Sequence, residues 1–159
     1  MPSNLSAKTM LVVIGFGNEL RGDDAVGQHV ARRVEAWGAP GVRALAVHQL
    51  TPELASVLAE SSLAIFVDAS LDLAGGEIAI RELHPLAAGG ALGHANGPPW
   101  LLAMTEALYH RCPRAWLIEV PAVNLDLSEG LSQTASAGMD KALERIAALV
   151  SAQGLNSTA

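Results

Sequence analysis

Two carboxylates and an imidazole stand where an open α/β sheet can do chemistry. Glu19 lies just past a first apolar strand, Asp68 closes a third, and His94 sits in a glycine-rich loop. In such sheets the first and third strands are often neighbours with the second outside them, and ligands sit at their carboxyl ends, where the crossovers diverge. Adjacent strands are ~4.8 Å apart. Two carboxylates placed there repel, and one has a raised pKa unless a cation joins them. The loop with His84 and His94 leaves the same sheet and holds enough glycine to fold over that end. Two carboxylates and an imidazole form a three-ligand set with open positions for a divalent metal. Spacing alone leaves other readings open: Glu19 as a solvated loop acid, Asp68 capping a turn with Ser70, and His94 as a surface residue. The separations match no short metal motif.

Other chemistries fail on their residues. The turn after the first strand has Gly15 and Gly17, but Leu20 stands where a dinucleotide fingerprint needs its third glycine. His48 and Gln49 end the second strand where that fingerprint needs an acid. No Gly-Lys-Ser/Thr phosphate loop follows, and there is no Gly-x-Ser-x-Gly elbow. Cys112 is the single cysteine, which excludes an internal disulfide and a multi-cysteine metal site. Beside Pro113 it reads as a filler thiol.

The elements that must position the acids follow from hydropathy. Residues 10–14 are a continuous apolar, β-branched run, as expected for a strand covered on both faces. After the glycine-punctuated turn, Asp23 or Asp24 is expected to cap a helix with Val26, Val30, Val34 and Trp37 on one stripe. Residues 42–47 and 63–67 read as strands, separated by a helix that Thr51, Pro52 and Glu53 start and that Leu54 and Leu58 turn inward. Alternating Ile78 and Ile80 mark residues 77–83 as an edge strand. Pro98 and Pro99 open a helix, residues 116–120 form the last strand, and residues 136–150 form the last helix, with Met139, Leu143, Ile146 and Val150 on one face. Alternating buried strands and helices predict an α/β fold: a three-layer sandwich with a mainly parallel sheet of about five strands and one antiparallel edge strand near Ile78.

The 159 residues fit one domain, 1–159, with residues 1–8 and 152–159 frayed. A hydrophobic content of 50% against 16% charged residues excludes disorder for most of the chain. A net charge of −6 gives no general attraction to nucleic-acid backbones, and 4% aromatic residues leave no base-stacking surface. Residues 83–105 carry no charge, yet His84, Gly89, Gly93, His94, Asn96, Pro98 and Pro99 make them a loop running into a helix rather than a membrane span. With no secretory leader recognisable in residues 1–17, a cytoplasmic, soluble protein is expected.

Four blocks, in order along residues 10–150, carry a family resemblance. Val13-Ile-Gly-Phe-Gly-Asn-Glu-Leu-Arg-Gly-Asp-Asp-Ala-Val-Gly27 resembles the opening of the hydrogenase maturation proteases. Phe66-Val-Asp-Ala69 is similar to their second acidic block. Gly93-His94 followed by Pro99-Trp-Leu-Leu-Ala103 is similar to their histidine block, and Gly130-Leu-Ser132 to their C-terminal block. Ala25 departs from the glycine that often follows the paired acids, and Leu117-Ile-Glu-Val-Pro121 from the glycine that often stands near the last strand. The resemblance implies a twisted sheet flanked by helices. It also implies an endopeptidase that trims the C-terminal extension of a nickel-loaded nickel–iron hydrogenase large-subunit precursor. Glu19, Asp68 and His94 would engage the metal and carry catalysis, and His84 lies outside the histidine block. The nickel would be carried by the precursor, with zinc or cadmium able to substitute in vitro, and the protein is expected to be a monomer. For the hydrolysis, a metal could polarise the carbonyl or acidify water, or Asp68 or Glu19 could act as general base. Two rivals are a nickel-holding assembly chaperone without hydrolysis and another hydrolase such as a nucleoside phosphorylase. For the latter, Arg21 alone offers a cation in the first turn.

Overall fold

The computed structural model describes residues 9–87 and 96–154. Leu11–Ile14 are fully buried, so strand β1 (Leu11–Phe16) takes an interior place in the sheet. It pairs in parallel with β2 (Val42–Val47) on one side and β3 (Leu63–Ser70) on the other. Strand β5 (Arg114–Pro121) adds in parallel to β3, and β4 (Ala79–Leu83) closes the far edge antiparallel to β5. The order is β2-β1-β3-β5-β4. The first and third strands are thus neighbours with the second outside, and the antiparallel member is the edge strand expected near Ile78.

Alternation along the strands sorts the core into two faces. Leu11, Val13, Ile65, Val67, Ile118 and Val120 meet helix α1 (Val26–Ala36) and helix α4 (Gln133–Ala152). Val12, Ile14, Ala64, Phe66, Ala115 and Leu117 meet α2 (Leu54–Ala59) and α3 (Pro98–Tyr109). This is the three-layer α/β/α sandwich.

Three helix starts differ from expectation. A 3-10 turn (Gly22–Ala25) precedes α1, and neither Asp23 nor Asp24 caps it. The Thr51-Pro52-Glu53 segment forms an opening turn, Thr51 O accepting from Leu54 N at 3.1 Å, and α2 proper begins at Leu54. Helix α4 begins at Gln133, ahead of 136, because the Ser132 hydroxyl caps it by accepting from Ala135 N at 3.1 Å.

Helix α1 lies directly on the sheet through two glycines. A Cβ on Gly15 would stand 1.8 Å from the Gly27 carbonyl oxygen, and one on Gly27 would stand 2.4 Å from the Val67 oxygen. Both obstacles are backbone, so no side-chain rotation relieves them. Gly15→Ala is therefore expected to cost about 3 kcal/mol or more, lowering the melting temperature by about 10 °C. A thermal melt that matches wild type would show that α1 does not sit this close.

Candidate active site

The turn between β1 and α1 is held by its own polar groups. Gly17 has φ +146°, and a Cβ there would stand 2.0 Å from the Asp24 carbonyl oxygen, so the turn requires glycine. Asn18 N donates to Asp24 Oδ2 at 2.7 Å, and Leu20 N donates to Asn18 Oδ1 at 2.9 Å. Buried Gln28 donates from Nε2 to the oxygens of Gly17 (2.7 Å) and Val47 (3.0 Å). Its Oε1 accepts from Arg32 Nη2 at 2.8 Å, and the same Arg32 nitrogen donates to Glu19 Oε2 at 3.0 Å. Glu19 is thus displayed at the tip of the turn, exposed, with its carboxylate steered by α1.

Asp68 stands near the carboxyl end of β3, half-buried, on the sheet face that Phe66 shares. Its Oδ1 accepts from Ala69 N at 2.9 Å; among the described residues nothing else bonds the carboxylate. Glu119 is its register partner on β5. Burial pushes the Asp68 pKa up from 3.8 to about 6; the Ala69 amide opposes this, and the charges of Asp24 and Glu119 add to it. The raised carboxyl is thus there, but its acidic neighbours are Asp24 and Glu119, while Glu19 is turned to Arg32. A carboxyl that titrates near pH 6 can both accept and return a proton close to neutrality.

His94 lies outside the described residues, which begin again at Asn96, two residues before α3 opens on Pro98. Among the described residues no three His, Cys, Asp or Glu side chains are grouped to hold a metal ion. His84 is exposed. Half-buried Cys112 donates weakly to the Leu102 oxygen at 3.7 Å, and burial, then the Glu106 charge, raise its pKa, which keeps the thiol protonated and unreactive.

Asp23 is a polar residue whose role the sequence does not disclose. It is fully buried. Oδ2 accepts from Val123 N (2.8 Å), Asn124 N (3.2 Å) and the Ser132 hydroxyl (2.7 Å), and Oδ1 accepts from Ser132 N (2.7 Å). Burial alone would raise its pKa; the bonds from Val123, Ser132 and Asn124 together outweigh that and hold it below 3.8. Asp23 therefore ties the turn after β1 to the segment after β5. Arg21 pairs with Ser128 across the same seam, where Gly22 N donates to the Ser128 oxygen at 3.1 Å.

The fold has solved counterparts. The hydrogenase maturating endopeptidase HybD of E. coli superposes with a TM-score of 0.75 at 21% identity, over 92% of this chain and 95% of that one. The [NiFe] hydrogenase maturation protease HycI of Thermococcus kodakarensis superposes at 0.71 with 26% identity, again over 92% and 95%. The chain has the fold of the hydrogenase maturation proteases. An endopeptidase from Escherichia coli solved in solution matches it at 0.67, with 22% identity over 92% and 95%. No protein-family model matches the sequence, and no curated protein does. Within the maturation-protease fold, the first and last of the four sequence blocks meet at Asp23, whose carboxylate joins the Gly-Asp-Asp turn to Ser132. The second block supplies the half-buried Asp68. No helix among the described residues is long and apolar enough to cross a membrane.

Proposed function

We propose that this protein is a peptidase of hydrogenase maturation, which removes the C-terminal extension of a nickel-loaded large-subunit precursor. The observation that carries the reading is Asp68: a half-buried carboxyl raised to about 6, at the carboxyl end of a central strand, on a fold shared with named maturation endopeptidases.

In this reading Glu19, Asp68 and His94 meet the nickel that the precursor brings. Glu19 is suited by its exposure, being held by one surface ion pair with Arg32 that a stronger cation can displace. Asp68 is suited by its carboxylate, which receives one amide bond. Zinc or cadmium stands in for nickel in vitro. Asp68 takes the proton of a water as its oxygen bonds to the scissile carbonyl carbon. The proton then passes to the amide nitrogen as the carbon–nitrogen bond breaks, which leaves the mature carboxyl terminus and a free peptide. The base works in its ionised form, so kcat/KM is expected to climb with pH below about 6 and level off above it.

Intact-mass spectrometry of nickel-loaded precursor incubated with the protein tests the reading, and repeating it between pH 5 and 8 tests the base. Loss of one defined C-terminal peptide is expected. A precursor that co-elutes with the protein at unchanged mass would make it an assembly chaperone. Cleavage that falls as pH rises through about 6 would remove Asp68 as the base.

A further inference from the structure

Six large hydrophobic side chains are strongly exposed among the described residues, and four crowd one end of the sheet: Leu20 (62%), Leu71 (59%), Val123 (62%) and Leu127 (80%). They sit on the three segments that follow β1, β3 and β5, at the end where Asp68 stands. Backbone bonds join these segments into one rim. Ala122 N donates to the Ser70 oxygen at 2.9 Å, which joins the segment that carries Val123 to the one that carries Leu71. Ser128 N donates to the Leu20 oxygen at 3.1 Å, which sets Leu127 beside Leu20. Asp23 bonds Val123 N and Asn124 N beneath the rim. The apolar side chains are therefore displayed by an ordered backbone, and the core does not use them.

The charges among them are predominantly acidic. Glu19, Asp72, Asp126 and Glu129 are exposed on these segments, and Arg21 is their only cation, its Nε donating to the Leu125 oxygen at 3.0 Å. Exposed apolar side chains gathered on joined segments and rimmed by charge mark an interaction surface, and the sign of the charge selects the partner.

We infer that this rim is the docking surface for the precursor: it seats an extended segment of the substrate protein in which apolar side chains are flanked by lysine or arginine. The apolar side chains cover Leu20, Leu71, Val123 and Leu127, while the cations meet Asp72, Asp126 and Glu129. The segment then lies across the ends of β1, β3 and β5 and brings the scissile bond to Asp68. This rests on the peptidase reading above and adds what selects its substrate.

The test is steady-state cleavage of nickel-loaded large-subunit precursor by four proteins: wild type, Leu20→Ser/Leu127→Ser, Asp126→Asn/Glu129→Gln, and Leu108→Ser. Leu108 is as exposed (60%) but lies near the C-terminal end of α3, which leads into the start of β5 at the opposite end of the sheet. The leucine pair is expected to raise KM about tenfold with kcat nearly unchanged. The acid pair is expected to raise KM at low salt and to flatten its salt dependence. Leu108→Ser should match wild type, and all four should melt within a few degrees of one another, as surface changes do. Unchanged KM in both double variants, with wild type still cutting, would overturn the docking surface alone; no cleavage by wild type would overturn the peptidase reading and this inference with it. An equal rise in Leu108→Ser would remove the rim's special role. A concentration-dependent dimer that the leucine pair dissolves would assign the surface to a second copy of this chain and overturn the proposal.

Discussion

Asp68→Asn is expected to abolish precursor cleavage, by at least about a thousandfold, while leaving the folded protein as stable as wild type or slightly more so. Asparagine keeps the shape, and its amide oxygen still accepts from Ala69 N. The substitution removes the charge that burial, Asp24 and Glu119 all oppose. The sign of the stability effect follows from linkage. A carboxyl raised from 3.8 to about 6 binds a proton more tightly in the folded state, so the wild-type fold loses stability as pH rises between about 4 and 6. At neutral pH that loss is about 1–2 kcal/mol once solvent screening at a partly exposed site is allowed for. The asparagine variant has no such loss, so its advantage should be absent at acid pH and full above about pH 6. Melting curves in chelator over that range, paired with cleavage assays on the same preparations, decide the matter. Parallel wild-type and variant stabilities across the range would mean that Asp68 is not a strained carboxyl. Full activity in the variant would end its role as base.

What could be read in the sequence was what is local. The unbroken apolar run that became β1 declared an interior strand, because only a strand covered on both faces has no polar alternation. Ile78 and Ile80 declared an edge, and the edge is where β4 pairs antiparallel with β5. Strand position made Asp68 a candidate acid but left a turn cap open, and the family resemblance favoured the site reading. The other polar roles are tertiary. A pair of acids before a helix predicts capping by a local rule, yet Asp23 finds its donors one hundred residues away and α1 starts without a side-chain cap. Glu19 was legible as a turn acid; its partner Arg32, steadied by Gln28, is a neighbour only once α1 has folded back on the turn. The two relevant blocks, the Gly-Asp-Asp turn and Gly130-Leu-Ser132, were both visible in the sequence. Their contact was not, because no spacing rule links residues so far apart.

The two acids also predict opposite outcomes, and Asp23 gives the larger effect on folding. Asp23→Asn is expected to destabilise by about 4 kcal/mol and to lower the melting temperature by about 10 °C. All four groups that meet the carboxylate donate: Ser132 N on one oxygen, and Val123 N, Asn124 N and the Ser132 hydroxyl on the other. An asparagine side chain must turn its NH2 toward one of those sets, so donor faces donor and buried amides lose their acceptor. Ser132→Ala, which removes one donor to Asp23 and the hydroxyl that caps α4, should cost less, about 1–2 kcal/mol. The pH dependence reverses that of Asp68. Asp23 is held below 3.8, so its stabilisation is present above about pH 4 and is lost as pH falls through its lower folded-state value. The gap between wild type and Asp23→Asn should therefore narrow in acid, where the Asp68 gap also closes, but from the other side. Because Asp23 anchors Val123 and Asn124, its loss should also loosen the rim that carries Leu20 and Leu127, raising KM for precursor in molecules that remain folded. Thermal melts from pH 3 to 7 and a cleavage titration below the melting temperature measure both effects. A variant melting within about 2 °C of wild type at neutral pH would show that the seam between the turn after β1 and the segment after β5 is held by something other than this carboxylate.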